Sequence, residues 1–205
     1  GIMPDLLCTV NAETVKTPIE VYRALRQLDT GWVQFIPVVV RDDEGNIDDI
    51  SVTPEGYGDF LCAVFDEWIH NDLGRLDVQL FAETAKVWAG GKAGVCHMAE
   101  TCGQVLVCEE DGSIYACDHF VDNEHRLGNL MANNMAKLAH SDGQIAFGNA
   151  KKDTLIDECK ACPYLKACNG GCPKDRFGEN GQYYLCKGLK KYFAHADDML
   201  HKGME

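Results

Sequence analysis

The densest group of potentially reactive side chains is a cysteine-rich segment in the last quarter of the chain. Five cysteines fall within 28 residues, at positions Cys159, Cys162, Cys168, Cys172 and Cys186. A Cys-x2-Cys pair lets two thiolates reach one metal ion from a single tight turn. The Asn-Gly-Gly sequence before Cys172 suits a crowded loop, because glycine tolerates left-handed backbone. This density predicts a metal ion, an iron–sulfur cluster or a set of disulfides.

Six more cysteines lie upstream, so the chain contains 11 in total. Cys8 and Cys62 lie among apolar residues and are predicted to be buried thiols that behave as small hydrophobic groups. Cys108 could also be a ligand, but we interpret it as a buried thiol on a strand. The remaining eight divide into two sets of four, the number that two tetrahedral zinc ions or two [4Fe–4S] clusters require. They are Cys96, Cys102, Cys117, Cys159, Cys162, Cys168, Cys172 and Cys186.

The composition of the chain makes disulfides the weaker explanation. Disulfide frameworks are typical of short secreted chains with an even number of cysteines. This chain has 205 residues, 46% of them hydrophobic, with no recognisable signal peptide and no apolar run long enough to span a bilayer. Its net charge of −13 argues against general nucleic-acid binding, which needs clustered Lys and Arg. We expect a cytoplasmic monomer that binds neither membranes nor nucleic acid.

The first 90 residues are predicted to form an α/β arrangement. Apolar runs predict strands at 6–10, 32–40 and 78–81, and helical periodicity predicts helices at 18–28, 54–71 and 83–88. Val21, Leu25 and Leu28 should share the buried face of the first helix, and Thr53 should cap the second. A βαβ unit cannot bury both faces of its strands alone. We therefore expect residues 1–90 to be the tail of a larger α/β domain, and the chain to be a fragment.

A second domain is predicted to begin after Gly90-Gly91 and to cover residues 91–205. Asp111-Gly112 between two apolar runs predicts a hairpin with strands at 104–108 and 113–117. Leu127-Gly-Asn129 is predicted to be a turn, and helices are predicted at 130–138, within 142–157 and at 185–200. The hairpin would hold Cys117 at a rigid strand end. The fold class predicted for the whole chain is α+β.

Spacing alone does not separate zinc from iron–sulfur chemistry at these cysteines. Structural zinc sites usually pair two short Cys-x2-4-Cys knuckles. Here only Cys159/Cys162 and Cys168/Cys172 have that spacing, whereas the other candidates are dispersed over a hairpin and a helix start. Dispersed ligands suit a cluster, whose corners lie farther apart than the ligands of one ion. The pattern favours iron–sulfur only modestly.

The arrangement of motifs resembles the SPASM domain of radical S-adenosylmethionine enzymes. The resemblance rests on Cys96-x5-Cys102-Gly103, Asp111-Gly-Ser-Ile-Tyr-Ala-Cys117, Leu127-Gly-Asn129 and Cys159-x2-Cys162-x5-Cys168-x3-Cys172-x13-Cys186. Within that superfamily, Cys117-Asp-His-Phe-Val121 resembles the anaerobic sulfatase-maturating enzymes. Cys8-Thr-Val-Asn11 and Gln34-Phe-Ile-Pro37 resemble the late strands of their partial (β/α)6 barrel. The resemblance spans essentially the whole chain.

This resemblance implies two auxiliary [4Fe–4S] clusters with interleaved ligands. Cys96, Cys102, Cys117 and Cys172 would hold the first cluster, and Cys159, Cys162, Cys168 and Cys186 would hold the second. It also implies S-adenosylmethionine and a third [4Fe–4S] cluster in the full-length parent. The Cys-x3-Cys-x2-Cys motif that binds this third cluster does not occur in the sequence. We therefore expect the fragment alone to be inactive.

The resemblance also assigns roles to a few other residues. Asp118 would be the general base that deprotonates a substrate Cys or Ser, with a pKa raised by the neighbouring anionic cluster; His119 is the second choice. Gln34 and Ile36 would contribute to the S-adenosylmethionine pocket. The implied partners are an unfolded sulfatase polypeptide, whose Cys or Ser becomes formylglycine, and an electron carrier such as flavodoxin or ferredoxin.

Three other functions remain compatible with the sequence. The chain could be a zinc-stabilised structural module, which metal analysis would distinguish. It could be a ferredoxin-like electron-transfer module, in which replacing Asp118 would have no effect. It could also belong to a radical enzyme that modifies a different peptide, which only an activity assay would reveal.

Overall fold

The structure, a computed structural model, describes residues 4–202 and contains two compact units. The first unit combines the described residues up to Gly91 with those from Tyr184 onward. The second unit runs from Lys92 to Tyr183. The sequence places a boundary at nearly the same point, after residue 90, but it assigns the last helix to the second domain. None of the described helices is long and apolar enough to cross a membrane.

The first unit contains a three-stranded parallel sheet in the order β1-β2-β3. The strands are β1 (Leu6–Val10), β2 (Trp32–Pro37) and β3 (Asp77–Val78), and the helices between and after them are α1 (Pro18–Arg26), α2 (Pro54–Asn71) and α3 (Gln79–Trp88). The predicted βαβ unit is therefore confirmed, because β1 and β2 pair in parallel with α1 between them. The strand predicted at 78–81 is wrong, since the chain turns into α3 at Gln79.

The core of the first unit is aromatic and lies along α2. Phe65 is 1% exposed, and its ring contacts Phe81 and Tyr192 edge-on at centroid distances of 5.2 and 5.8 Å. Thr53 caps α2 as predicted, because its hydroxyl accepts a hydrogen bond from the amide of Gly56 at 3.1 Å. On α1 the buried residue is Tyr22, whereas Leu28 is 59% exposed, so the buried face predicted for this helix is wrong.

The second unit is built from short elements. Its antiparallel sheet has the order β4-β5-β6, with β4 (Val107–Cys108), β5 (Ser113–Tyr115) and β6 (Arg126–Asn129). Its helices are α4 (Met135–Ala139), α5 (Asp142–Asp153), α6 (Asp157–Lys160) and α7 (Leu165–Cys168). The hairpin of β4 and β5 is confirmed, although both strands are shorter than predicted. The turn predicted at Leu127–Asn129 is wrong, since these residues belong to β6 and pair with β5. The helix predicted at 130–138 is reduced to α4.

The last helix, α8 (Cys186–Lys202), belongs to the first unit and packs along α2. A Cβ added at Gly58 would lie 2.8 Å from the Cα of Gly188, so the two helix backbones meet where neither residue has a side chain. Ion pairs flank this contact: Lys191 pairs with Asp59, and His195 Nε2 lies 2.5 Å from Asp66 Oδ1. These contacts explain why α8 is part of the first unit.

Candidate metal centre

The described residues contain no disulfide, because none of the eleven cysteines is bonded to another. Seven of the eight predicted ligands lie in the second unit, and Cys186 begins α8 in the first. Three cysteines differ from their predicted burial. Cys8 and Cys62 are only half-buried, and Cys108 is exposed on the short strand β4, so the prediction of three buried thiols is wrong.

Cys117 and Asp118 lie just beyond the end of β5 at Tyr115, separated from it by Ala116. The hairpin fixes this strand end, since the amide of Ala116 donates to the carbonyl of His125 and the amide of Phe120 to that of Cys117. The thiol of Cys117 donates a hydrogen bond to Asp118 Oδ1 at 3.2 Å. The side chains of Asp118 and His119 are exposed. A strand end therefore presents a thiol, a carboxylate and an imidazole at the surface of the unit.

The segment from Cys96 to Cys102 has little regular structure, and α5 holds it in place. Lys151 Nζ donates to the carbonyls of Cys96, at 2.6 Å, and of Ala99. The amide of Cys102 donates to the carbonyl of Gly148 at 3.2 Å. The amide group of Gln144 donates to the carbonyls of Gly103 and Ala116, at 2.6 and 3.1 Å. One helix thereby fixes two cysteines that are far from it in sequence.

The cysteine-rich loop turns back on itself between Cys168 and Cys172. Asn169, Gly170 and Gly171 have φ values of +46°, +73° and +63°, three consecutive left-handed residues. Glycine is required at the third position, because an added Cβ would lie 2.5 Å from the ring of Tyr183. The left-handed backbone predicted from Asn-Gly-Gly is confirmed.

The thiols of the first predicted set lie near one another. A charge on Cys96 would raise the pKa of both Cys102 and Cys172. Cys117 interacts in turn with Cys172, so all four thiols form one connected group. Four thiols grouped in this way have the donor chemistry of a cysteine-liganded cluster or metal site. The residues present therefore fit the group that the sequence predicts.

The second set is brought together only in part within the second unit. Cys159 lies on α6, Cys162 follows it, and the amide of Cys162 donates to the carbonyl of Cys159 at 3.1 Å. Arg176 interacts electrostatically with both Cys159 and Cys168. The membership of Cys186 in this set stays a prediction from sequence.

Burial controls the protonation of the thiols. It raises the pKa of Cys117 to about 12 and that of Cys172 to about 11, and it also raises the pKa of Cys102. These groups are thiols at neutral pH in the metal-free chain. Binding of a cluster or metal must release their protons, because the thiolate is the ligand.

The sequence predicts a raised pKa for Asp118, but in the structure the hydrogen bond from the Cys117 thiol lowers the pKa of Asp118. That donor is a protonated thiol, so this cause operates only while Cys117 is not a ligand. The other candidate base, His119, lies with its Nδ1 3.6 Å from Cys172 Sγ.

One group of mixed ligands is also close enough to bind a single ion. The sulfur of Cys117, a carboxylate oxygen of Asp118 and a ring nitrogen of His119 all lie within 4.8 Å of one another. Cys96, Cys102 and Cys172 lie outside this group in the part of the chain that the structure describes. Sulfur, oxygen and nitrogen donors together are compatible with zinc.

Gln34 and Ile36 lie on β2 in the first unit. Side chains alternate along a strand, so these two residues lie on the opposite face from Val33 and Phe35, which are buried in the core. Gln34 is paired with Leu7 of β1, which shares that face and is 66% exposed. The two predicted cofactor-binding residues therefore lie on the more exposed face of the sheet.

Three charged residues near the cysteines have no clear signal in the sequence. Lys151 is 1% exposed, and burial lowers its pKa to about 8, so most of it is charged at pH 7. Arg176 donates to the carbonyls of Gly170, Asn169 and Lys151. Asp175, three residues after Cys172, is 8% exposed, and burial raises its pKa. Their importance depends on burial, which composition and spacing do not reveal.

Comparisons with known proteins identify a cluster-binding domain in the same part of the chain. The model of the SPASM iron–sulfur cluster-binding domain matches residues 96–163. The serine-type anaerobic sulfatase-maturating enzyme of Bacteroides thetaiotaomicron is 39% identical over 215 residues, which cover 95% of this chain and 52% of that enzyme. The cysteine-type enzyme of Clostridium perfringens is 30% identical over 200 residues, which cover 94% and 54%.

Solved structures give the same result. Native anSMEcpe with bound AdoMet superimposes with a TM-score of 0.83 at 29% identity, covering 97% of this chain and 56% of that one. Native anSMEcpe with bound AdoMet and the Cp18Cys peptide gives the same TM-score and identity. The chain spans about half the length of the relatives that it matches. It has a mixed α/β fold with a SPASM domain and is a homologue of the anaerobic sulfatase-maturating enzymes.

Proposed function

We propose that this chain is the C-terminal part of a radical S-adenosylmethionine enzyme that oxidises a Cys or Ser of a sulfatase to formylglycine. The observation that carries the proposal is the connected group of Cys96, Cys102, Cys117 and Cys172 with the exposed carboxylate of Asp118 directly beside it. This arrangement joins a cluster-type donor set to a potential base. The sulfatase-maturating relatives supply the reaction class.

The two sets of cysteines would hold two auxiliary [4Fe–4S] clusters. The electrostatic connection among the first four thiols supports the first set. The proximity of Arg176 to Cys159 and Cys168 supports part of the second set, which Cys162 and Cys186 would complete. When bound, the auxiliary clusters would accept an electron, and S-adenosylmethionine with a third cluster would supply the radical that removes a hydrogen atom from the substrate Cβ.

Asp118 would act on the substrate side chain. Its carboxylate would take the proton from the thiol of a Cys or the hydroxyl of a Ser. Loss of one hydrogen atom, one proton and one electron amounts to a two-electron oxidation of the C–S or C–O group. A Ser would yield the aldehyde directly, and a Cys would yield a thioaldehyde that water hydrolyses with loss of hydrogen sulfide. Once Cys117 is a ligand, it no longer donates to Asp118, and the carboxylate is a stronger base.

The first unit would be the end of a partial (β/α)6 barrel. Its parallel strands alternate with helices, and one face of the sheet is buried under them. Gln34 and Ile36 lie on the other face, where they would contact S-adenosylmethionine. The bound AdoMet in the structural relative supports the presence of this cofactor in the complete protein.

The partners of the complete protein would be an unfolded sulfatase polypeptide and an electron carrier such as flavodoxin or ferredoxin. The peptide bound to anSMEcpe supports a peptide substrate. The exposure of Asp118 and His119 gives such a peptide access to the base. We expect the complete protein to act as a monomer, and we expect residues 1–205 alone to be inactive.

The decisive experiment replaces Asp118 by Asn in the complete protein that contains this chain. The protein is reconstituted anaerobically and assayed for formylglycine by mass spectrometry with a Cys or Ser peptide. We expect product formation to fall by about 10²- to 10⁴-fold, because the amide cannot accept the proton. The iron content per chain should equal that of the wild type. About eight of these irons belong to residues 1–205, as two [4Fe–4S] clusters require.

Glu124→Gln is the matched control, because Glu124 is an exposed carboxylate seven residues after Cys117 in the same region. It should leave product formation unchanged. Full activity of Asp118→Asn would refute the role of the base. A second candidate function, a zinc-stabilised module, is favoured by the close Cys117, Asp118 and His119 group. Stable zinc without iron uptake would establish it.

A further inference from the structure

Lys151 lies on α5 with its side chain inside the second unit. It is 1% exposed, and its ammonium donates to the carbonyls of Cys96 and Ala99. Both acceptors are neutral. A buried ammonium is costly unless an opposite charge compensates it. Among the described residues, no carboxylate forms an ion pair with Lys151, so the compensating charge must come from another kind of group.

Arg176 places a second positive charge next to the first. Its guanidinium donates to the carbonyl of Lys151 at 2.7 Å, and to those of Gly170 and Asn169, both at 2.9 Å. All three acceptors are again neutral. The two cations repel each other, which adds to the cost of burying the ammonium. A buried ammonium beside a half-buried guanidinium, both with neutral acceptors, indicates a site suited to negative charge.

The cysteines are the groups near both cations that can become anionic. Lys151 interacts electrostatically with Cys102, Cys168 and Cys96. Arg176 interacts with cysteines of both predicted sets, namely Cys159, Cys168, Cys102 and Cys172. Cysteines act as ligands in the thiolate form. A cluster held by these cysteines would therefore bring the negative charge that the two cations lack.

We propose that Lys151, supported by Arg176, is a positioning residue whose positive charge compensates the cysteine-bound clusters and raises their reduction potential. This inference rests on the proposed function, because it assumes that the cysteines bind clusters. Adding one electron makes a cysteine-bound cluster more negative by one charge. A fixed cation nearby stabilises the more negative form, so Lys151 would favour acceptance of the electron that leaves the substrate.

The test compares four variants of the reconstituted complete protein. Lys151→Met removes the charge and the donor, Lys151→Gln keeps a donor without the charge, and Lys151→Arg keeps both. Lys152→Met is the matched control, since it removes a lysine from the neighbouring position, where the side chain is less buried. The measurements are iron per chain, the circular dichroism of the cluster-free chain, and the midpoint potentials of the clusters during titration with dithionite.

We expect Lys151→Met and Lys151→Gln to shift the ratio of reduced to oxidised cluster about tenfold toward the oxidised form, which equals about 59 mV for a one-electron couple. Lys151→Arg and Lys152→Met should retain the wild-type potentials. Loss of iron in the Met and Gln variants, with native circular dichroism and normal loading of Lys151→Arg, would also support the inference.

Three results would overturn it. The first is a wild-type potential in Lys151→Gln, which would leave only a hydrogen-bonding role for Lys151. The second is an equal shift of the midpoint potential in Lys151→Arg and Lys151→Met. The third is loss of native circular dichroism in both uncharged variants. These results would leave the proposed function intact, because the wild type would still bind iron and form product. A wild type that takes up no iron would overturn both.

Discussion

The two units of the chain are stabilised by different means. Among the described residues, the first unit contributes 23 buried apolar residues to the core and the second unit contributes seven. Three of those seven are alanines. The second unit also buries four polar or charged side chains, Ser113, Gln144, Lys151 and Asp175, whereas the larger core of the first unit includes three, Ser51, Asp72 and Thr84. An apolar core therefore accounts for the first unit and not for the second.

The small core of the second unit indicates what the cysteines contribute to the fold. A domain of about 90 residues with a small core is marginal unless metals or cross-links assist it. The second unit has short strands, short helices and three consecutive left-handed residues, none of which supplies much burial. Its stability must depend strongly on whatever the cysteines bind, because metal-binding free energy then becomes folding free energy.

The largest expected effect follows from removing the bound clusters. Chelation of iron under mild oxidation should cost the second unit on the order of 10 kcal/mol, the scale of structural metal sites. Hydrogen exchange followed by mass spectrometry should show loss of protection in 92–183 and retained protection in 54–71. Cys172→Ala should act in the same direction. Cys108→Ala should not, since Cys108 is exposed and outside both sets. Retained protection throughout the second unit after iron loss would show that its stability does not depend on the clusters.

An intermediate effect is expected from the apolar core of the first unit. Phe65→Ala should cost about 3–5 kcal/mol, because it removes a buried ring that contacts Phe81 and Tyr192. Urea unfolding followed by the fluorescence of buried Trp68 measures this loss. Leu28→Ala is the control and should change stability by less than about 0.5 kcal/mol, since Leu28 is 59% exposed. The cost of Phe65→Ala should be the same with and without clusters. If the loss of stability in Phe65→Ala depended on cluster loading, the two units would not be stabilised independently.

The smallest effect concerns the hairpin turn. Asp111 accepts hydrogen bonds from the amide and hydroxyl of Ser113, at 2.8 and 2.9 Å, and these bonds lower its pKa. Because the folded pKa is lowered, the carboxylate stabilises the turn above its ordinary pKa of 3.8, and this stabilisation is lost as the pH falls through the lower value. The amide of Ser113 should exchange faster with solvent in that range. Asp111→Asn should abolish the pH dependence, and an unchanged dependence would contradict the assigned contact.

Local signals in the sequence were sufficient for several elements. The parallel β1-α1-β2 unit, the start of α2 at Thr53-Pro54 and the left-handed turn after Cys168 each depend on residues close together in the chain. The grouping of Cys96, Cys102, Cys117 and Cys172 was predicted through resemblance to a family. The structure adds the electrostatic connections among them.

Features that depend on distant contacts were missed. The β6 strand contains Leu127-Gly-Asn129, which locally favours a turn, and it becomes a strand only by pairing with β5. The place of α8 depends on the fit of Gly188 against Gly58, 130 positions earlier. Lys151 is an ordinary lysine in the last turn of a helix until burial reveals its neighbours. None of these contacts has a signature within a short window of sequence.

The assignment of α8 to the first unit also has a consequence for biosynthesis. The ribosome must make the 92 residues from Lys92 to Tyr183 before α8 emerges, although α1, α2 and α3 are already complete. At about 5–20 residues per second this takes roughly 5–18 s. During that interval the face of α2 around Gly58 lacks its partner helix. The nascent chain therefore exposes apolar surface that a chaperone can bind, and the first unit completes its fold only after the cysteine-rich unit has left the ribosome.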